Sequence, residues 1–266
     1  MKERALVIVS QEKNPQLSFN KLREYLQHVI LRELFEQGVL DNIVFHGGTA
    51  LRILFDLRRF SEDLDFHTLN KNEFDLEKVV KKMMDHLPQQ GYRVSVTTNF
   101  KGAVRSAFIK FNDLLSEMGL SRQKGEKLRV KIEVDTKPPE GYNTKSSLIN
   151  KYFPFGFIHH DRASFLSGKL HAVLQHSYTK GRDFYDLWFY LSRWKDLSPN
   201  FQYLNNALKQ TKYEGLSIKK ENWKKVTSSK IKGIDWDYVV SDVEPFIENQ
   251  NDLKVFSKKT MLELLK

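Results

Sequence analysis

FHGGTALRILFDLRRFSEDLDFHT, residues 45–68, is the stretch on which the reading of this chain turns. The short apolar run from Ile43 to His46 has the composition of a strand. It enters Gly47-Gly48 and then an amphipathic helical pattern from about Thr49 to Leu57. Glycines at such a junction let the backbone approach a ligand closely. The helix start offers free N–H groups and a partial positive charge, which suit phosphate. Thr49 is placed to cap that helix or to touch a phosphate. Strand, glycine pair and helix occur together in many tight turns, so alone they say little. The chemistry comes from Ser61-Glu62-Asp63-Leu64-Asp65. On a strand, residues two apart share a face, so Asp63 and Asp65 present two carboxylates together, with Ser61 beside them. Two such charges repel unless a cation lies between them. Mg²⁺ takes hard oxygen ligands and keeps places for water and substrate phosphates. Asp-x-Asp alone reads as a solvated acidic face next to Arg58 and Arg59. Coupled to Gly-Gly one helix upstream, it reads as a strand–helix–strand unit holding phosphate and metal side by side.

The rest of the chain sets bounds. Its 266 residues are enough for one large domain or two small ones. The absence of cysteine excludes disulfides, thiolate metal sites and cysteine nucleophiles. The N-terminal apolar run is too short for a secretory signal, and no stretch approaches the ~18 apolar residues of a membrane span. A soluble, cytoplasmic protein is expected. Lys plus Arg number 43 against 33 Asp plus Glu, a net charge of +10. Such a field attracts polyanions, nucleic acid first and an anionic membrane surface second.

Periodicity predicts helices over about Asn20 to Glu36, Glu73 to His86, Arg162 to His176 and Asp183 to Arg193. Alternation predicts strands over Tyr92–Thr98, Ala103–Phe111 and Leu128–Thr136, after which Lys137-Pro138-Pro139-Glu140-Gly141 breaks the sheet pattern. From Pro199 the chain is Lys-rich and fits several short helices. A boundary near residue 155 would separate a mixed α/β part, residues 1–155, from a helical part, residues 156–266. His159-His160-Asp161 and His171 with His176 lack the tight recurring spacing of a metal site.

Gly-Gly-Thr-Ala-Leu followed by Arg-Phe-Ser-Glu-Asp-Leu-Asp-Phe resembles the first motif of the AbiEii/AbiGii-type toxins (MenT-like). These are bacterial nucleotidyltransferases of the DNA polymerase β-like superfamily, paired with a cognate antitoxin and linked to phage defence. The resemblance implies an α+β fold: a mixed β-sheet with flanking helices, then a helical C-terminal part. It implies Mg²⁺ (or Mn²⁺) as cofactor and an NTP as co-substrate. The acceptor it implies is RNA, foremost the 3′ end of tRNA, and the partner an antitoxin protein or kinase. Asp63 and Asp65 would be the metal ligands. Lys131-Ile132-Glu133-Val134-Asp135 resembles the strand that carries a third carboxylate, assigned to Glu133 with Asp135 as substitute. Gly47, Gly48 and Thr49 would cradle the triphosphate.

Lys169, in Ser167-Gly168-Lys169-Leu170, sits on a helical face with Phe165, Ala172 and Val173. A lysine among apolar neighbours needs an anionic partner or a substrate phosphate, and the resemblance places it on nucleotide phosphate. In Arg182-Asp183-Phe184-Tyr185-Asp186 the resemblance assigns an essential aspartate to Asp183, with Asp186 the alternative and a further nucleotide contact. Leu187, Trp188 and Tyr190 are expected in the core. Ser61 matches a position phosphorylated in relatives to silence the enzyme. Lys219, Lys220, Lys224, Lys225, Lys230 and Lys232 offer an acceptor-binding surface. Two other readings share parts of the pattern: a small-molecule, antibiotic-type nucleotidyltransferase, and a non-catalytic RNA- or antitoxin-binding module.

Overall fold

Strands β1 (Ile43–His46) and β2 (Asp63–Thr68) lie antiparallel in the computed structural model, with His46 opposite Asp65 and Phe45 opposite Phe66. The two phenylalanine rings stack at 4.9 Å between centroids, an arrangement that contributes beyond its buried area. Strand β5 (Leu128–Asp135) runs parallel to β2 and brings Glu133 opposite Asp65 and Lys131 opposite Asp63. Antiparallel strands β4 (Val104–Phe111) and β3 (Val94–Asn99) follow outward. On the other side β7 (Pro154–His160) runs parallel to β1, and β6 (Thr144–Asn150) forms the edge. The seven-stranded order is β3-β4-β5-β2-β1-β7-β6.

The structure describes residues 1–69, 74–123, 125–175 and 180–266. They group into two units. The first holds Met1–Phe55, Phe60–Pro138 and Ser146–His159; the second holds Asp56–Arg59, Pro139–Lys145 and His160–Lys266. The sheet reaches further than the sequence pattern predicts. Beyond Lys137-Pro138-Pro139 the chain returns to it as β6 and β7. Strand β6 is largely exposed and polar, so its alternation carries no apolar signal.

Helix α1 (Lys2–Ser10), also unpredicted, buries only Ala5 and Val9. Helix α2 (Pro15–Glu36) begins five residues before the predicted start, because Asn14 caps it: its side chain accepts from Gln16 N–H at 2.9 Å and Leu17 N–H at 3.1 Å. Helix α3 (Gly47–Phe55) likewise starts two residues early, at the glycine itself. Helix α4 (Leu76–His86) starts after Asp75, whose side chain accepts from Lys78 N–H; its predicted start, Glu73, lies outside the described residues. A short helix α5 (Leu114–Glu117) follows β4.

In the second unit, α6 (Arg162–Gln175) and α7 (Gly181–Arg193) form as expected, with the predicted end His176 outside the described residues. Helices α8 (Phe201–Gln210), α9 (Trp223–Lys232), α10 (Trp236–Val243), α11 (Asn251–Val255) and α12 (Lys258–Glu263) complete the chain. A Cβ at Gly181 would lie 2.2 Å from the Val239 carbonyl oxygen, so glycine lets the start of α7 press on the backbone of α10. Among the described residues no helix is long and apolar enough to cross a membrane.

Beneath α3 lies a buried ionic group. Glu24 on α2 meets Arg52 at 2.6 Å and Lys151 at 3.0 Å. Burial opposes the Glu24 charge, but the two cations outweigh it and hold the carboxyl below its usual range. The Arg52 guanidinium also lies 3.9 Å from the centre of the Phe60 ring. One turn along α2, His28 is fully buried and its Nδ1–H donates to the Glu24 carbonyl at 2.8 Å. Burial pushes the imidazole down to about 4. Below pH ~6.5 the unfolded chain therefore binds a proton that the native chain refuses. Stability contributed by neutral His28 is full above pH ~6.5 and falls as pH drops toward 4, by on the order of 3 kcal/mol. Urea denaturation of the protein and of His28→Phe at several pH values between 7 and 4 should show the slope in the first and a flatter profile in the second.

Candidate active site

The pleat sorts β2 and β5 into two faces. Leu64, Phe66, Val130, Ile132 and Val134 are buried, while Asp63, Asp65, Lys131, Glu133 and Asp135 are half-buried on the opposite face. Across the strands one row of register partners reads His46, Asp65, Glu133, Ser106. The next pairs Asp63 with Lys131. His46 and His67 lie with ring centres 4.0 Å apart on β1 and β2. The Lys131 ammonium contacts the Glu133 carboxylate. Burial works against that ammonium, but Glu133 and the charges of Asp63 and Asp65 outweigh it and raise its pKa. Lys131 is thus a cation set among three carboxylates. Asp135 is held above its usual range by burial and by the Glu133 charge, against the Lys137 N–H it accepts at 2.8 Å.

Gly47 joins this face to helix α3. Its φ is +76°, and a Cβ there would fall 2.3 Å from Asp65 Oδ2. Backbone and carboxylate therefore share space that only glycine leaves open. Thr49 does not cap the helix. It is the third helical residue, is buried, and its hydroxyl donates to the Asp63 carbonyl at 2.5 Å. The side chain expected to touch phosphate instead ties α3 to the start of β2. Ser61 precedes β2, so the alternation does not extend to it; its carbonyl accepts from Gln27 Nε2 at 3.0 Å. Two adjacent carboxylates with a neighbouring Glu133 are hard oxygen donors of the kind a small divalent cation takes together with substrate phosphates. Among the described residues no three His, Asp or Glu side chains already converge as a cage.

In the second unit Lys169 on α6 has the anionic partners its apolar setting requires: Asp183 at 3.0 Å and Asp186 at 2.7 Å, both on α7. Asp186 is also gripped end-on by Arg59, with Nε–Oδ1 and Nη2–Oδ2 both 2.6 Å. The fork is fully buried. Burial opposes the charge on Lys169, and Asp186 and Asp183 overcome it and raise its pKa. Burial likewise opposes ionised Asp183, and Lys169, Lys180 and Arg59 overcome it and lower its pKa. Asp186 is thus committed to holding the cluster together, and Asp183, at the start of α7, has the lighter load. Sequence reasoning noted Arg59 only as a basic neighbour of the acidic face. Its partner lies 127 residues away, and no spacing rule spans that distance.

Of the other residues considered, His159 bonds Ser147 at 2.9 Å and His160 stacks on Tyr142 at 4.8 Å. On α9, Trp223, Thr227 and Ile231 turn inward; Lys225 and Lys232 of this helix and Lys219 and Lys220 just before it are exposed, and Lys224 and Lys230 are half-buried.

Residues 29–247 match the family described as nucleotidyl transferase AbiEii toxin, type IV toxin–antitoxin system. The chain belongs to that family and is a nucleotidyltransferase. A solved nucleotidyltransferase candidate from H. pylori aligns over 89% of this chain and 89% of its own, at 20% identity and a TM-score of 0.52. The likeness shows the shared fold. JHP933 from Helicobacter pylori aligns over 91% of this chain and 88% of its own, at 19% identity and a TM-score of 0.49. No curated protein matches the chain.

Two substitutions test the local geometry. Gly38 and Gly47 both have positive φ, but nothing lies within 4 Å of a Cβ at Gly38. Gly38→Ala should cost about 1 kcal/mol of backbone strain, and Gly47→Ala clearly more, because Asp65 must also move; thermal melting of both variants checks the order. Arg59→Ala leaves Asp186 paired by Lys169 alone. It should cost about 3 kcal/mol in denaturant titration, toward the lower end for a broken buried ion pair.

Proposed function

We propose that the protein transfers a nucleoside monophosphate from an NTP to an RNA acceptor, the 3′ end of tRNA foremost, and releases pyrophosphate. The observation that carries this reading is the group of half-buried carboxylates Asp63, Asp65 and Glu133 on one face of β2 and β5, with the Gly47 backbone against Asp65. In this reading Asp63 and Asp65 hold Mg²⁺ (or Mn²⁺), with Glu133 the third carboxylate and Asp135 its substitute. The bound ion would supply charge neutralisation at the triphosphate. Glu133 stands beside Asp65 in register and takes the proton of the acceptor hydroxyl as its oxygen bonds the α-phosphorus. The bond from that phosphorus to the β-phosphate oxygen breaks, and pyrophosphate leaves.

Backbone N–H groups at Gly47, Gly48 and Thr49 cradle the phosphates. Lys169 offsets charge that spreads over the phosphoryl oxygens. Asp183 orients Lys169, and Asp186 with Arg59 fixes both. The net charge of +10 favours a polyanionic acceptor over a small one. A cognate antitoxin follows from the family; Ser61 is the hydroxyl through which a kinase-type antitoxin would act.

Incubating the protein with total tRNA, Mg²⁺ and each α-³²P NTP in turn should label tRNA. Asp63→Asn and Asp65→Asn should bring the label to background. Absence of label with every NTP would rule out the tRNA reading and direct the search to protein and small-molecule acceptors.

A further inference from the structure

Helix α7 presents two working faces. Asp183 and Asp186 lie on one. On the other, Tyr185, Trp188, Phe189 and Ser192 recur at helical spacing and line a cavity of about 520 Å³, with Arg58, Arg193 and Asp252 among its other walls. That volume lies within the range of small-ligand sites. Trp188, expected in the core, is only half-buried. Its ring is braced by Tyr185 at 5.5 Å and Phe256 at 5.6 Å and still lines the cavity. Arg58 has an exposed side chain and meets Asp252 Oδ1 at 3.2 Å. Asp252 is buried, and its Oδ2 finds no hydrogen-bond partner among the described residues. A buried carboxylate oxygen left without a donor is costly. Arg193 is exposed, with its guanidinium 5.6 Å from the centre of the Phe189 ring.

We propose that this cavity binds one unstacked nucleotide of the RNA acceptor, its base against Trp188 and its phosphate between Arg58 and Arg193. The proposal rests on the RNA-directed reading above. An aromatic wall takes the face of any base, and guanidinium groups take phosphate; Asp252 Oδ1 holds Arg58 in place at 3.2 Å. A lipid chain would leave Arg58 and Arg193 unmet. Free phosphate would leave the aromatic wall unused, and an acidic peptide would set carboxylate against carboxylate. Arg58 and Arg59 are consecutive, one holding Asp252 and the other Asp186. Occupancy of the cavity and the placing of Lys169 therefore share one backbone segment.

The test is fluorescence anisotropy of a labelled single-stranded RNA with the full chain, in EDTA and without NTP, so that binding is read apart from catalysis. Trp188→Leu should weaken binding about tenfold, the scale of one lost base stack. Ser192→Trp fills the cavity from an exposed position and should weaken it similarly with an unchanged melting temperature, which covers the case of Trp188→Leu misfolding. A blunt RNA duplex, with no unstacked base, should bind all three proteins alike. In the labelling assay both variants should raise KM for RNA and leave kcat near that of the parent protein. If the parent protein binds and labels RNA and Ser192→Trp does the same with equal affinity, the cavity assignment falls and the RNA reading stands. Equal losses on duplex and single strand would also overturn it. If the parent protein neither binds nor labels RNA, both fall together.

Discussion

The contact between the Gly47 backbone and the Asp65 carboxylate governs how the first unit is assembled. Strands β1 and β2 are antiparallel neighbours with His46 opposite Asp65, so the residue after His46 must turn directly over that carboxylate. With φ at +76° and no side chain, Gly47 makes the turn and starts α3 at once. Any other residue would push Asp65 aside or splay β1 from β2. The Thr49 hydroxyl on the Asp63 carbonyl then fixes α3 to the first residue of β2. Both aspartates are thus positioned by one short helix, and that helix is anchored from behind by Arg52 on Glu24.

Charge is balanced differently in the two units. On the sheet face three carboxylates, Asp63, Asp65 and Glu133, surround one ammonium, Lys131. That leaves an excess of negative charge, which a cation would relieve. In the second unit Arg59 and Lys169 face Asp183 and Asp186, two charges of each sign, with the Arg59–Asp186 fork wholly buried. A neutral buried cluster contributes little net stability but is costly to break on one side. Its geometry is therefore well defined, and it holds Lys169 in one place. The side-chain freedom of Lys169 is thus already spent in folding.

Much of this was legible in the sequence, for identifiable reasons. Strands β2, β4 and β5 alternate strongly because one face is core and the other polar. Lys169 stood out because a charge on an apolar helical face demands a partner, and the structure supplies two. Strands β6 and β7 were invisible: β6 is an exposed polar edge, and β7 follows a Pro-Pro break that looked like the end of the sheet. Thr49 reads as a cap in the sequence because cap residues and hydroxyls within a helix that bond a neighbouring strand look alike until the helix start is known. The role of Arg59 is not legible in the sequence because its partner, Asp186, lies 127 residues away.

The two faces of α7 connect these observations. A helix that offers Asp183 and Asp186 on one side necessarily offers residues 185, 188, 189 and 192 on another, because the helical repeat leaves no choice. Burying the acidic face against Lys169 and Arg59 requires the helix to be held firmly, and Gly181 against the Val239 carbonyl does so at its start. The opposite side faces a cavity. Trp188 is half-buried beside a cavity, and Asp252 carries an oxygen without a donor. A half-buried tryptophan beside two guanidinium groups is the physical ground for reading the cavity as a site.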